Sequence, residues 1–223
     1  MDLFSEQRDW AKALQPLIDK YNGKQHPLHY KNLYQAVVMV VLSAQDSDAH
    51  INKVAPAFFE RFPDMKALSN ANTEQLTEYL AEVRFHNNKI GWLQEIASEI
   101  KEDKNIPLTM KELTSLKGIG RKSANVIMRV GGAEAEGILV DLHVLRVAPR
   151  LGIATGKDAN KIEKQMMEKL PKSMWGETGM AISFLGRETC RPKNPKHSEC
   201  IVSDVCEYCL LNKKAVSNTN IFV

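Results

Sequence analysis

Apolar residues recur at three- and four-residue spacing along most of the chain, in blocks broken by Pro, Gly or Asn. That period predicts helices over 10–21, 33–44, 49–62, 73–83, 88–101, 110–115, 121–130, 142–151, 159–170 and 175–187. Strand-type alternation is nearly absent, so the fold class expected is all-α, with no sheet. One block is ambiguous. Val37, Val38, Val40 and Val41 favour a strand by propensity, but Leu33 and Gln35 before them and Ser43-Ala44-Gln45 after them extend the segment to helix length. It reads as a core helix. No internal repeat and no Ser/Gly-rich linker separates the blocks. Any boundary therefore falls where packed helices cross, and two helical lobes with a cleft between them are expected.

Composition narrows the class further. The chain has 223 residues, 43% hydrophobic and 26% charged, which is long and apolar enough for a sizeable core and excludes a disordered or collagen-like protein. The longest unbroken apolar run, 36–42, is far shorter than the roughly 18 residues a membrane-spanning helix requires. The first residues, Met1-Asp2-Leu3-Phe4-Ser5-Glu6, lack the basic and then apolar regions of a secretory signal, so a cytoplasmic protein is expected. Net charge is +3 but uneven: residues 1–110 carry 12 basic and 15 acidic side chains, residues 111–223 carry 18 and 12. A basic C-terminal half suits a polyanion, although a solvated basic face has the same signature.

The segment Leu116-Lys117-Gly118-Ile119-Gly120-Arg121-Lys122-Ser123-Ala124-Asn125 stands between two helical patterns. Gly118 and Gly120 permit a tight turn and close backbone approach, while Leu116 and Ile119 can anchor it from its inner side. The helix beginning at Arg121 would then point unpaired N–H groups outward, and these, with the helix dipole, suit a phosphate. Such an element can hold a DNA backbone without reading its sequence. An ordinary helix–helix turn has the same spacing. Lys122 tips the balance, because a cation in the first turn is opposed by the dipole by about 0.3–1 kcal/mol. The same field, with burial, would lower a lysine pKa and leave a neutral, nucleophilic amine.

Asp141 precedes an apolar pattern at 144, 145, 147 and 148. It reads as an N-cap, a position that would also hold a catalytic carboxylate at the mouth of a helix. His143 reads as a packing or surface residue. All four cysteines lie between 190 and 209, a clustering that points to a local metal or iron–sulfur site and a reducing compartment rather than to a disulfide framework.

The residues 116–125 and 140–147 resemble the hairpin and the catalytic aspartate segment of the helix-hairpin-helix DNA glycosylases, within them the endonuclease III type. The likeness continues at Leu42-Ser43-Ala44-Gln45-Asp46-Ser47-Asp48, at Asn87-Asn88-Lys89, and at Leu185-Gly186-Arg187-Glu188-Thr189-Cys190, and spans about 28–208. It implies a six-helix barrel over 27–134 carrying the hairpin, and a second lobe from 1–26 and 135–223 carrying the aspartate and the cysteines. It also implies a base-excision repair enzyme of the cytoplasm, associated with the nucleoid. Such an enzyme flips an oxidised pyrimidine out of duplex DNA, attacks the sugar C1′ with Lys122, and cuts the abasic strand by β-elimination. Asp141 would assist, Gly118, Gly120 and Arg121 would grip the backbone, and Gln45 and Phe85 would fill the gap left in the stack. A monofunctional mismatch glycosylase lacks the lysine, and a non-catalytic DNA-binding module needs neither Lys122 nor Asp141. A monomer is expected.

Three positions depart from the family pattern near the pocket: Phe85 replaces a smaller aliphatic residue, His86 an aromatic hydroxyl, and Leu142 a threonine. The cysteines depart as well. Relatives hold a 4Fe-4S cluster through four cysteines with six, two and five residues between them. Here Cys190, Cys200 and Cys206 keep register, His197 stands at the second position, and Cys209 follows Cys206. Either imidazole or Cys209 can complete the set, with Cys209 preferred; the alternatives are a zinc ion on the same groups or a lost cluster with leftover cysteines. Arg191, Lys193 and Lys196, on the loop between ligands, could contact phosphates.

Overall fold

The computed structural model describes residues 8–212. The opening stretch on which the cytoplasmic expectation rests, residues 1–6, lies outside them. The helices are α1 (Trp10–Tyr21), α2 (Leu33–Leu42), α3 (Asp48–Arg61), α4 (Met65–Ser69), α5 (Thr73–Leu80), α6 (His86–Ile100), α7 (Met110–Ser115), α8 (Arg121–Val130), α9 (Leu142–Leu151), α10 (Ala159–Lys169) and α11 (Trp175–Glu188). No strand occurs among the described residues. None of their helices is long and apolar enough to cross a membrane.

Eight of these helices open on an Asp, Asn, Ser or Thr whose side chain accepts a backbone N–H of the first turn. Such caps satisfy donors that would otherwise be orphaned. The helices α6, α8 and α11 lack a side-chain cap, their N-cap residues being Phe85, Gly120 and Met174. The first two of these exceptions fall at candidate functional segments.

The chain forms two compact units, one running from Gln25 to Glu136 and the other taking the chain through Lys24 and again from Gly137. In the first, α2 is buried on nearly every side, from Ala36 through Leu42. Burying each Val, Leu or Met side chain there stabilises the unit by about 1.5–3 kcal/mol, which overrides the strand propensity of the valine run. The helix ends at Leu42 rather than at 44, because Ser43 caps it and the chain turns through Ala44 and Gln45. The five-residue α4 is absent from the expected helices, being too short for a period to show. It is held by its Asp64 cap and by Asp103, which accepts the Met65 N–H.

In the second unit α11 packs against α9 and α1. Gly186 is what allows the approach: a Cβ there would stand 2.8 Å from the His143 Cβ of α9. Tyr21 at the end of α1 donates its hydroxyl to Glu188 of α11 (2.9 Å), and Lys24 pairs with the same carboxylate. Burial and this acidic neighbour raise the Tyr21 pKa, so its hydroxyl stays a donor.

Candidate functional site

In the first unit, α7 and α8 are joined by the glycine hairpin. Leu116 and Ile119 are buried, and the Ile119 N–H donates to the Leu116 carbonyl at 3.1 Å. Gly118 sits at φ 85°, and a Cβ there would also meet the Trp92 ring at 2.6 Å, so the position excludes other residues twice over. Gly120 caps α8 without a side chain and leaves the first N–H groups of the helix turned outward beside Arg121. Lys117 is drawn aside to Glu95 (2.9 Å). Lys122 lies in the first turn of α8, exposed. The burial expected to act on its amine together with the helix field is therefore not supplied within this unit.

Two further segments of this unit carry unusual backbone. Gln45, in the turn after α2, has φ 57°, and Phe85, just before α6, has φ 58°. A left-handed conformation costs a non-glycine residue roughly 1–2 kcal/mol, so its surroundings must hold it there. Gln45 is exposed, and Phe85 is half exposed at 51% with the Arg84 guanidinium 5.0 Å from its ring centroid. Beside them lie Asp46 and Lys89. Burial alone would push the Asp46 carboxyl up, but the Arg84 N–H, the His50 ring and the Ser47 N–H outweigh it and hold the carboxyl below its ordinary value. Lys89 is 1% exposed and donates its ammonium to the Leu42 carbonyl at 2.7 Å. Its pKa is lowered by that burial, which nearby Asp46 opposes and Arg84 reinforces.

In the second unit, Asp141 is the N-cap of α9. One carboxylate oxygen accepts the N–H groups of His143 (2.8 Å) and Val144 (2.9 Å), and the other accepts the Ser183 hydroxyl of α11 (2.6 Å), with Arg187 at 3.8 Å. The capping bonds thus occupy one carboxylate oxygen only, and the contacts from α11 fall on the other. Leu142, beside it, is 68% exposed. His143 turns its Nδ1 to Arg146 (3.3 Å), in keeping with a packing role.

The cysteine loop is gripped by α9. Arg146 donates to the carbonyls of Gly186 (2.9 Å) and Cys190 (3.2 Å). One turn on, Arg150 donates to the Cys190 sulfur (3.4 Å) and to the Arg191 (2.8 Å) and Pro192 (3.1 Å) carbonyls, and lies 4.8 Å from the Tyr208 ring centroid. Cys206 and Cys209 are buried, Cys190 and Cys200 half-buried. Burial raises the Cys200 thiol, with Cys190 and Cys209 adding to the rise and the Val202 N–H opposing it. Burial likewise pushes Cys206 up to about 11, with the other three thiols contributing and the Cys209 N–H opposing. Two of the four thiols, Cys200 and Cys206, receive backbone N–H groups, a donor chemistry that suits thiolate ligands of an iron–sulfur cluster. Among the described residues no three His, Cys, Asp or Glu side chains come together as a ready-made site for a metal ion. His197 packs its ring 5.6 Å from that of Tyr208. Arg191 and Lys193 are exposed, and Lys196 is paired with Glu199 (2.8 Å).

Residues 38–172 match the family model of the HhH-GPD superfamily base excision DNA repair proteins. The chain is 34% identical to an endonuclease III of Synechocystis over 83% of its own length and 86% of the relative's. It belongs to the endonuclease III family. The endonuclease III of Bacillus subtilis is also 34% identical, over 87% of this chain and 90% of that protein. A solved structure of a trapped endonuclease III–DNA covalent intermediate superposes with a TM-score of 0.81 at 28% identity, covering 93% of this chain and 99% of the other. Residues 190–206 match the iron–sulfur binding domain of endonuclease III, the family's seat for a 4Fe-4S cluster. Cys209 lies three residues past that match, and His197 lies within it.

Sequence reasoning did not single out Ser183, Arg146, Arg150 or Lys89. The two arginines at i and i+4 on α9 were the one local signal available, since that spacing puts both on the same face.

Proposed function

We propose that this chain is a bifunctional DNA glycosylase and abasic-site lyase that removes oxidised pyrimidines from duplex DNA, with Lys122 as nucleophile and Asp141 as the assisting carboxylate. It acts as a monomer on the DNA of the cytoplasmic nucleoid. The observation that carries the reading is an exposed lysine in the first turn of the uncapped α8, immediately after a hairpin built to approach a phosphate backbone, in a chain of the endonuclease III family.

The outward N–H groups of α8, Gly118, Gly120 and Arg121 hold phosphates beside the damaged nucleotide. Once the nucleotide is flipped out, the Lys122 nitrogen bonds to C1′ as the glycosidic bond breaks, and the base leaves with that electron pair and takes up a proton. The sugar ring opens to a Schiff base, C2′ loses a proton, and the bond to the 3′ phosphate oxygen breaks. Asp141 takes the proton of the attacking amine and stabilises positive charge on the sugar. Gln45 and Phe85 occupy the gap in the stack, where the bulk of Phe85 shifts lesion preference.

Duplex oligonucleotides carrying thymine glycol, uracil, 8-oxoguanine opposite adenine, or an abasic site test this, with and without borohydride. Nicking and trapping at thymine glycol are expected. Base loss revealed only by alkali, without a trapped complex, would mean a monofunctional glycosylase in which Lys122 is not the nucleophile.

Cys190, Cys200, Cys206 and Cys209 are the ligands we assign to the 4Fe-4S cluster. When bound, the cluster supplies folding energy to the loop that offers Arg191 and Lys193 to phosphates. Cys209→Ala is expected to lose most of its iron and the visible absorbance of the centre, while His197→Ala keeps both. The reverse result, read from iron content and spectrum of the purified variants, makes His197 the fourth ligand.

A further inference from the structure

Asp46 joins two segments that are remote in the chain. One oxygen accepts the Ser47 N–H (2.7 Å) and meets the His50 Nδ1 (2.9 Å), which fixes the turn that carries Gln45. The other accepts the N–H of Arg84 at 2.9 Å, the residue directly before Phe85. Its side chain is 9% exposed, with the His50 contact part-buried and the bonds from the Ser47 and Arg84 N–H groups at the surface. Lys89 makes a second tie between the same segments, reaching from the first turn of α6 to the last carbonyl of α2. Gln45 and Phe85, each next to a residue in this network, are the two left-handed non-glycine positions that border it.

We infer that Asp46 is a positioning residue: by bonding across from the Gln45 turn to the Phe85 loop it presets the two side chains as one two-pronged wedge for the gap opposite a flipped nucleotide. This rests on the proposal above that Gln45 and Phe85 enter the stack. A wedge assembled before contact spares the two loops their ordering when DNA is bound, and a displacement of about 1 Å can cost on the order of a hundredfold in rate. The carboxylate suits the task because it offers two oxygens with lone pairs to donors on both loops, which a hydroxyl or an amide cannot do as fully.

The experiment compares cleavage of one abasic site in duplex DNA and in the same oligonucleotide single-stranded, where no base stack flanks a gap. Asp46→Ala is expected to lower duplex kcat/KM by about tenfold or more while single-strand cleavage falls far less. Gln45→Ala and Phe85→Ala should shift the duplex to single-strand ratio the same way. Their effects should be non-additive in the wild type and become additive when Asp46→Ala is present. Asp46→Asn, which keeps one acceptor for the Arg84 N–H, should fall between, and it carries the test if the alanine variant does not fold. A general loss of stability would lower both substrates together, leave the ratio unmoved and overturn the proposal. If the ratio holds in both Asp46 variants but moves in Gln45→Ala and Phe85→Ala, the positioning role is wrong and the wedge reading stands. If Gln45→Ala and Phe85→Ala leave the ratio unmoved, the wedge reading itself falls, and Asp46 with it.

Discussion

Lys122→Gln is expected to abolish borohydride trapping of the protein on DNA, a loss of about a thousandfold or more in strand cleavage, while duplex binding persists. Without the amine no Schiff base forms, so there is nothing for borohydride to reduce. Binding survives because the phosphate grip is assigned to the backbone N–H groups of α8, to the hairpin glycines and to Arg121. The fold should survive as well. Lys122 is exposed, and removing a cation from the first turn relieves a dipole conflict worth about 0.3–1 kcal/mol, so the melting temperature should stay level or rise slightly. Trapping at the wild-type rate would remove Lys122 as nucleophile, and a marked fall in melting temperature would show a packing role for it.

The second large effect is expected at Asp141. Asp141→Asn should slow base release by about a hundredfold or more and leave the protein folded. Asparagine caps helices as well as aspartate does, so its carbonyl oxygen can keep the N–H groups of His143 and Val144. Its amide nitrogen can then donate to the Ser183 oxygen, which in the wild type donates to the carboxylate. What disappears is the charge. Asp141→Ala removes the cap too and should cost about 0.5–2 kcal/mol of stability in addition. Thermal melts and single-turnover base release, measured on both variants, separate the roles. A folded Asp141→Asn protein with full activity would reduce the aspartate to a cap.

Both effects concern residues that stand out in the linear sequence, and the reason is physical. An N-cap and its first turn span four residues, a glycine hairpin spans five, and a helical period shows itself within two turns. Signals of that range survive in the order of residues alone. The breaks in legibility follow the same rule. The five-residue α4 is shorter than two turns, so no period marks it. The valine run of α2 is a helix because it is buried almost all round, a fact that belongs to its neighbours. Burial of Lys122 was expected from the sequence and is absent within its unit, since exposure depends on what packs around α8.

By itself, the sequence determined the all-α class, the hairpin, the aspartate at a helix start, the grouping of four cysteines and the resemblance to the endonuclease III type. Tertiary structure alone decided which distant groups meet: Ser183 with Asp141 across 42 residues, Arg150 with Cys190 across 40, Asp46 with Arg84 across 38, and Lys89 with Leu42 across 47. None of these pairs has a spacing that a helix or turn would make special. They form because packing of apolar faces brings their elements together, and only then do buried charges and carbonyls choose the partners that satisfy them.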